Sequence, residues 1–432
     1  MKVAIVGAGW AGMAAAVTAT EQGHNAIVLE ATHASGGRAR GLKGLLPSGQ
    51  SMSLDNGQHI LIGAYTETLR LMQQVGVDPA TALLSQPLCL LFPDGAGLQF
   101  PAWPTPLDAL AGILGARGWS LADKASLLRM ALGWQFKKFQ CGPHESVSAL
   151  CQKGSPRVMA ELIEPLCVSA LNTPADRASG QVFLRVMQDA LFGVQGGSRL
   201  LLPRVDLSTL FPAAAAHWIS ARGSELRLGA RVKSVQPQGA QWRVDGEVFD
   251  AVIVATPASE SARLLDTSAL NPAWAEQAAA LSFEAITTVY AFAQSARLPH
   301  PMLSLRSHAP DPATAPAPAQ FVFDRGQLGG PQGLLAFVVS ASQGDRETLQ
   351  AQVLSQAKTQ LGLTLQAVQT VVEKRATFAC TPGLQRPCMH IAPGLLACGD
   401  YVAGPYPATL EGAVRSGVAA ARGLSLAQRR KR

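Results

Sequence analysis

The stretch Lys2–Ala31, "KVAIVGAGWAGMAAAVTATEQGHNAIVLEA", decides the fold. Val3 to Val6 is a short apolar run that predicts a buried strand. Gly7, Gly9 and Gly12 follow in a G-x-G-x-x-G pattern. A run of small residues then predicts a helix to about Gln22, which Gly23 ends. Ala26 to Leu29 predicts a second strand, closed by Glu30. Each piece suits a dinucleotide. Gly7 permits the tight turn, Gly9 lets backbone amides approach a pyrophosphate, and Gly12 lets the helix lie close on the strand. The helix N-terminus favours phosphate charge, and Glu30 is placed to accept hydrogen bonds from ribose hydroxyls.

The far end of the chain completes the same site. In "GLLACGDYVAGPYPATLEGAVRSGVAAARGL", Gly394–Leu424, a strand is expected over Leu395–Cys398. Gly399 and Asp400 stand at its end, and Pro407 marks the start of a helix. The Gly36-Gly37-Arg38 turn resembles the extension found in glutathione-reductase-type flavoproteins, where the arginine reaches the pyrophosphate. The Gly399-Asp400 pair resembles the flavin-family motif whose acid meets the ribityl chain. These resemblances imply FAD, held by Gly7, Gly9, Gly12, Glu30, Gly37, Arg38, Gly399 and Asp400. They also bring Glu411, Gly412 and Ala413, in the first turn of the last helix, to the flavin's pyrimidine end.

A third stretch, Glu225–Pro257, alternates like short antiparallel strands and ends in the buried run Ala251–Ala255. The expected fold class is therefore α/β. A discontinuous Rossmann-type FAD domain (1–60, 205–265 and 385–425) is interleaved with an α+β substrate lobe (61–204 and 266–384). A basic tail, 426–432, follows. No second G-x-G-x-x-G is present, so electrons are expected from an external donor rather than from a resident nicotinamide.

Composition limits the alternatives. Apolar residues make up 48% of the 432 and charged residues only 15%. That is ample for a large interior. The net charge of +7 gathers partly at Arg429–Arg432, and no basic stripe interleaved with aromatics appears. Nucleic acid is therefore excluded as a partner. The seven cysteines show no Cys-x-x-Cys pair and no metal spacing, which predicts buried thiols in a reducing cytoplasm and no metal. The small-residue N-terminus imitates a secretory signal, but its glycines belong to the nucleotide fold. No apolar run approaches the ~18 residues of a membrane span.

Four motifs now carry a more specific resemblance: "VGAGWAGMAAA" (6–16), "LDNGQHILIGAY" (54–65), "ATFACTP" (376–382) and "PATLEGAVRSG" (407–417). Together, over the whole length, the chain resembles the hydroxysqualene dehydroxylase family. These are FAD-dependent, desaturase-like proteins of bacterial hopanoid synthesis. The resemblance implies reductive removal of the hydroxyl of hydroxysqualene to give squalene. Tyr401 departs from the pattern, since tryptophan is expected after the Gly-Asp. In related flavoproteins the segment after Gly-Gly-Arg returns along the flavin face. That brings Asp55, Asn56, Gln58 and His59 to the junction of cofactor and substrate, with Ile60 to Ile62 on the apolar side. Hydroxide leaves poorly without a proton, so the catalytic expectation is that Asp55 or His59 supplies one. Tyr401 and Tyr406 bracket the helix entrance, either packing the loop or stabilising a cation.

Three other readings share these motifs. A carotenoid or squalene desaturase would run the same chemistry oxidatively. An amine oxidase would want two aromatics at the flavin and a more polar funnel. Rab-escort and GDP-dissociation-inhibitor proteins bind prenyl chains without redox work, although their flavin motifs are degenerate.

In the substrate lobe, Trp103–Phe139 reads as two helices. Leu107, Leu110, Ala111 and Leu114 keep helical spacing in the first. Ser120 and Asp123 open the second in capping-box style, with Leu121, Ala125, Leu128 and Leu132 expected on its apolar face. Trp103, Trp119, Trp134, Lys137 and Lys138 suit contact with a membrane surface through which a lipid enters. The Pro/Ala-rich segment Ser307–Ala319 is expected to be a surface loop. A helix is expected near Asp345–Leu361 and a strand pair around Leu334–Ser340.

Overall fold

The computed structural model describes residues 1–267, 270–307 and 316–429, apart from the side chains of 267 and 425–429. The basic tail and most of the Pro/Ala-rich loop, expectations from the sequence, lie outside the described side chains or residues.

The strand Lys2–Val6 sits inside a six-stranded sheet. Its neighbours are Asn25–Glu30 on one side and Ala251–Val254 on the other, both parallel. Leu395–Ala397 adds to Ala251–Val254, again parallel, and His390–Ala392 closes that edge antiparallel. Burial explains the composition of these strands. Val3, Ala4, Ile5, Val252, Ile253 and Leu395 are inaccessible to solvent, as befits a sheet covered on both faces, where no polar alternation is needed. The helix Trp10–Glu21 covers one face beside the C-terminal helix Leu410–Arg429.

The far edge corrects one expectation. Glu225–Leu228 is not part of an antiparallel meander but pairs parallel with Asn25–Glu30. A helix, Pro212–Ser220, precedes it, and a helical crossover is what a parallel strand requires. The antiparallel ribbon is the next three strands, Val235–Gln238, Gln241–Val244 and Glu247–Phe249.

The second lobe is built on a five-stranded antiparallel sheet, ordered Met302–Ser304, Phe321–Asp324, Leu334–Ser340, Phe283–Phe292 and Gln366–Phe378. Leu334–Ser340 is thus one strand between two partners, not a hairpin pair. The helix Arg346–Leu361 packs on this sheet, its first turn capped by Asp345 through the Thr348 amide.

The paired helices of the lobe, Leu107–Leu114 and Leu121–Phe136, form as expected, including the reciprocal Ser120–Asp123 cap. Their packing does not. Leu127, Met130 and Trp134 face inward, while Leu121 and Leu132 are exposed. Trp119 and Trp134 are each only 7% exposed, which leaves Trp103 as the surface tryptophan of the three. Five of the seven cysteines are buried, but Cys388 is exposed and Cys141 half-buried.

Candidate functional site

A cavity of about 570 Å³ runs along the C-terminal ends of the parallel strands. That is where ligands sit in open α/β sheets. Gly7, Gly9, Glu30, Gly37, Arg38, Gly399, Asp400 and Ala413 line it. The turn glycines divide the work. A Cβ on Gly9 would meet nothing within 4 Å, so its bare face opens on the cavity. A Cβ on Gly12 would lie 1.9 Å from the Gly7 carbonyl oxygen, so Gly12 serves helix-to-turn packing and does not line the wall. No side chain caps the helix that begins at Trp10, and its amide end faces the cavity through Trp10 and Ala11. This is a ready anion site.

Glu30 is held rather than loose. One carboxylate oxygen accepts from the Ala8 amide at 2.8 Å, and the other accepts from the amide and hydroxyl of Thr32. Arg38 and Asp400 form an ion pair at 2.6 Å, and Arg38 also donates to the Ala376 carbonyl. Burial opposes the charge on Arg38, yet the facing Asp400 carboxylate prevails and raises its pKa above the ordinary value.

The Leu54–Tyr65 loop divides between structural and cavity-facing residues. Asn56 ties the loop to Arg40 in both directions, amide to carbonyl and side-chain oxygen to amide. Gln58 accepts from Arg325 at 3.1 Å. The buried Nε2 of Gln58 has no partner among the described residues, although the residue lines the cavity. His59 also lines it. The Gly57 carbonyl lies 2.8 Å from Nδ1 and can only accept, so the ring carries its hydrogen there and leaves Nε2 with a lone pair. Burial lowers the His59 pKa, keeping the ring neutral at pH 7.

Asp55 does not line the cavity. Its carboxylate accepts from the Leu207 amide at 2.8 Å, and the Tyr290 hydroxyl brackets its backbone. Burial pushes its pKa up to about 6. The expectation that Asp55 lines the site is thereby corrected: its carboxylate is spent on the first amide of the helix Leu207–Leu210, whose N-cap is Asp206. Glu411 is corrected in the same way. Its carboxylate accepts from the Glu67 and Thr68 amides and the Thr68 hydroxyl, and pairs with Arg415 at 2.7 Å. It closes the N-terminus of Thr66–Gln74 and does not line the cavity. Gly412, whose amide bonds to the Thr409 hydroxyl, is likewise behind the wall.

Sequence reasoning passed over several wall residues. Arg40, Arg231, Thr256, Asn172, Thr377 and Ser340 come from six separate places along the chain. Local signals existed for two of them: Thr256 lies in the "ATP" after Ala251–Val254, and Thr377 lies in "ATFACTP". Tyr401 is buried, hydrogen-bonded to Ser261 at 2.8 Å and set edge-on to Trp274. It packs the loop.

A second cavity, about 200 Å³, adjoins the first. Phe100, Ile113, Leu127, Trp134, Leu162 and Phe192 are among its largely apolar walls. The two cavities share Ile60, Tyr65, Ser169, Ala170 and Thr409. Three of these carry hydroxyls, at the doorway between a polar chamber and an oily one. Tyr406 also lines the second cavity, its ring between Arg185 and Arg415 at 5.2 and 5.4 Å.

The family model for flavin containing amine oxidoreductases matches residues 10–425. The chain belongs to that family. It is an FAD-dependent oxidoreductase, and the cradle fits the cofactor on its own terms. Bare Gly9 and the uncapped helix end would hold the pyrophosphate, fixed Glu30 would meet the ribose, and the Gln58 amide would be free to donate to the flavin. Among curated relatives, the chain is 26% identical to hydroxysqualene dehydroxylase of Rhodopseudomonas palustris, covering 97% of both chains. It is 24% identical to hydroxysqualene dehydroxylase of Zymomonas mobilis, covering 96% of this chain and 97% of that one. In fold it matches an oxidoreductase from Methanosarcina mazei, with a TM-score of 0.72 and 17% identity, over 98% of this chain and all of the other.

Proposed function

We propose that this flavoenzyme removes the hydroxyl of hydroxysqualene, giving squalene for hopanoid-type synthesis. The observation that carries the reading is the doorway: an oily chamber meets the flavin cradle at Ile60, Tyr65, Ser169, Ala170 and Thr409. The full-length likeness to two hydroxysqualene dehydroxylases supports it.

Reduced FAD, when bound, supplies the hydride. The chain's residues do the rest. Apolar walls hold the isoprenoid and exclude water while the carbon–oxygen bond breaks. The oxygen leaves as water once it has taken a proton, and the hydride fills the carbon. Tyr65, whose phenol burial keeps protonated, donates a hydrogen bond to the departing oxygen. His59 Nε2, which carries only a lone pair, accepts from the hydroxyl and orients it, and the proton that makes the leaving water enters from solvent through the Tyr65 hydroxyl. Asp55 shapes the loop from behind. The electrons come from an external donor, and a substrate of this oiliness brings the protein to a membrane surface.

The test is anaerobic. The flavin is reduced, hydroxysqualene is added, and flavin reoxidation is followed alongside squalene formation. Reoxidation matched by squalene supports the reading. No reaction with hydroxysqualene, but flavin reduction by squalene or phytoene, would reassign the protein as a desaturase.

A further inference from the structure

Ten large apolar side chains are exposed among the described residues, and seven of them fall between Trp103 and Phe136. Such clustering is not the scattered exposure of an ordinary surface. Leu107, Leu110 and Leu114 project from the outer side of the first helix of the pair. Leu121, Leu132 and Phe136 share the outer side of the second, where Leu121 is 85% and Phe136 92% exposed. The inner sides are apolar too: Ala109, Ile113, Leu127 and Trp134 form walls of the second cavity. A helix pair that is oily on both sides separates a hydrocarbon-lined chamber from the exterior.

Charge identifies what lies outside. Arg117, Arg129, Lys137 and Lys138 are exposed around the pair. The acidic residues nearby are committed elsewhere: Asp108 is buried and Asp123 is bonded to Ser120. An apolar face rimmed by these cations, none of which forms an ion pair among the described residues, matches an anionic bilayer, into which the leucines and phenylalanine insert while the cations meet headgroups. No helix among the described residues is long and apolar enough to cross a membrane, so the contact is with one leaflet.

We infer that Leu107–Leu114 and Leu121–Phe136 seat on an anionic lipid leaflet and pass an oily substrate directly into the chamber beneath them. The choice of substrate rests on the function proposed above, whereas the docking rests on the exposed face alone.

The test uses full-length flavin-loaded protein and flotation on phosphatidylcholine vesicles with and without phosphatidylglycerol. The wild type is expected to float with the anionic vesicles, and high salt to weaken this. The triple variant Leu121→Ser, Leu132→Ser, Phe136→Ser is expected to partition about tenfold less, with unchanged flavin absorbance. The double variant Lys137→Glu, Lys138→Glu should lose the preference for phosphatidylglycerol. Turnover of vesicle-borne substrate should fall in the triple variant, while turnover of detergent-dispersed substrate stays level. Flotation of the triple variant equal to wild type overturns the inference. So does a wild-type dimer, seen by light scattering, that the triple variant loses without any vesicle binding. Flotation without turnover of hydroxysqualene in any form leaves the docking in place and removes only the substrate.

Discussion

Arg38 Nη2 donates to Asp400 Oδ1 at 2.6 Å, joining the N-terminal glycine turn to the end of a strand 362 residues later. The pair closes the cradle across the sheet. Replacing Arg38 with Met leaves Asp400 without its cation and removes a donor from the cavity wall. The FAD dissociation constant is expected to rise about tenfold or more, measured by fluorescence titration of apoprotein. Arg38→Lys should recover part of the loss, since a single ammonium cannot reproduce the forked contacts to Asp400 and Ala376.

Gly9 and Gly12 differ by three positions and predict opposite phenotypes. Gly9→Ala adds a methyl that meets no protein atom, so the apoprotein should keep its thermal midpoint while losing flavin affinity. Gly12→Ala drives a methyl into the Gly7 carbonyl and should lower the midpoint even without cofactor. Parallel melting curves of the two apoproteins decide the matter.

Asp55 gives a pH signature. Its pKa rises from the ordinary 3.8 to about 6, chiefly through burial. The folded state therefore holds this proton more tightly than the unfolded state. The resulting penalty, on the order of 3 kcal/mol, is complete above pH 6 and fades as pH falls through 6 toward 3.8. Asp55→Asn is expected to melt higher relative to wild type at pH 8 than at pH 5. An equal difference at both values would show that the carboxyl is not the origin.

Glu411 holds two helices together. Glu411→Ala would strand the buried Thr68 amide and hydroxyl and the part-buried Glu67 amide, and unpair Arg415. A destabilisation of roughly 3 kcal/mol or more is expected, read by chemical denaturation. Flavin affinity should change far less than in Arg38→Met, because Glu411 does not line the cavity.

Tyr65→Phe tests the doorway. The ring's packing is preserved and only the hydroxyl is lost. Under the proposed function the rate of flavin reoxidation by hydroxysqualene should fall about 10²-fold. Flavin content and melting temperature should stay near wild type.

The fold was legible where neighbours in sequence are neighbours in space. Gly7 through Glu30 forms one strand–helix–strand unit, and its short-range pattern carries its own meaning. The Ser120–Asp123 cap was readable for the same reason. Glu411 was misread because its partners, Glu67 and Thr68, lie more than 340 residues away, and nothing in "TLEGAV" announces them. Asp55 follows a similar logic: a polar loop residue can turn to either side, and the Leu207 amide decided which. In Leu121–Phe136 the helical period was correct but the buried stripe was not. The helix is apolar on two sides, and hydrophobic spacing alone cannot say which one the core takes.

The cradle's dispersion along the chain also governs how it comes into being. Its walls are drawn from Gly7 at one extreme to Ala413 at the other, with the central strand Ala251–Val254 flanked by Lys2–Val6 and Leu395–Ala397, about 390 residues apart in sequence. No nascent polypeptide that stops short of Ala413 contains the whole receptacle. Loading of the yellow cofactor is therefore expected only after Ala413 has been made, and until then the helix Trp10–Glu21 lacks its partner Leu410–Arg429.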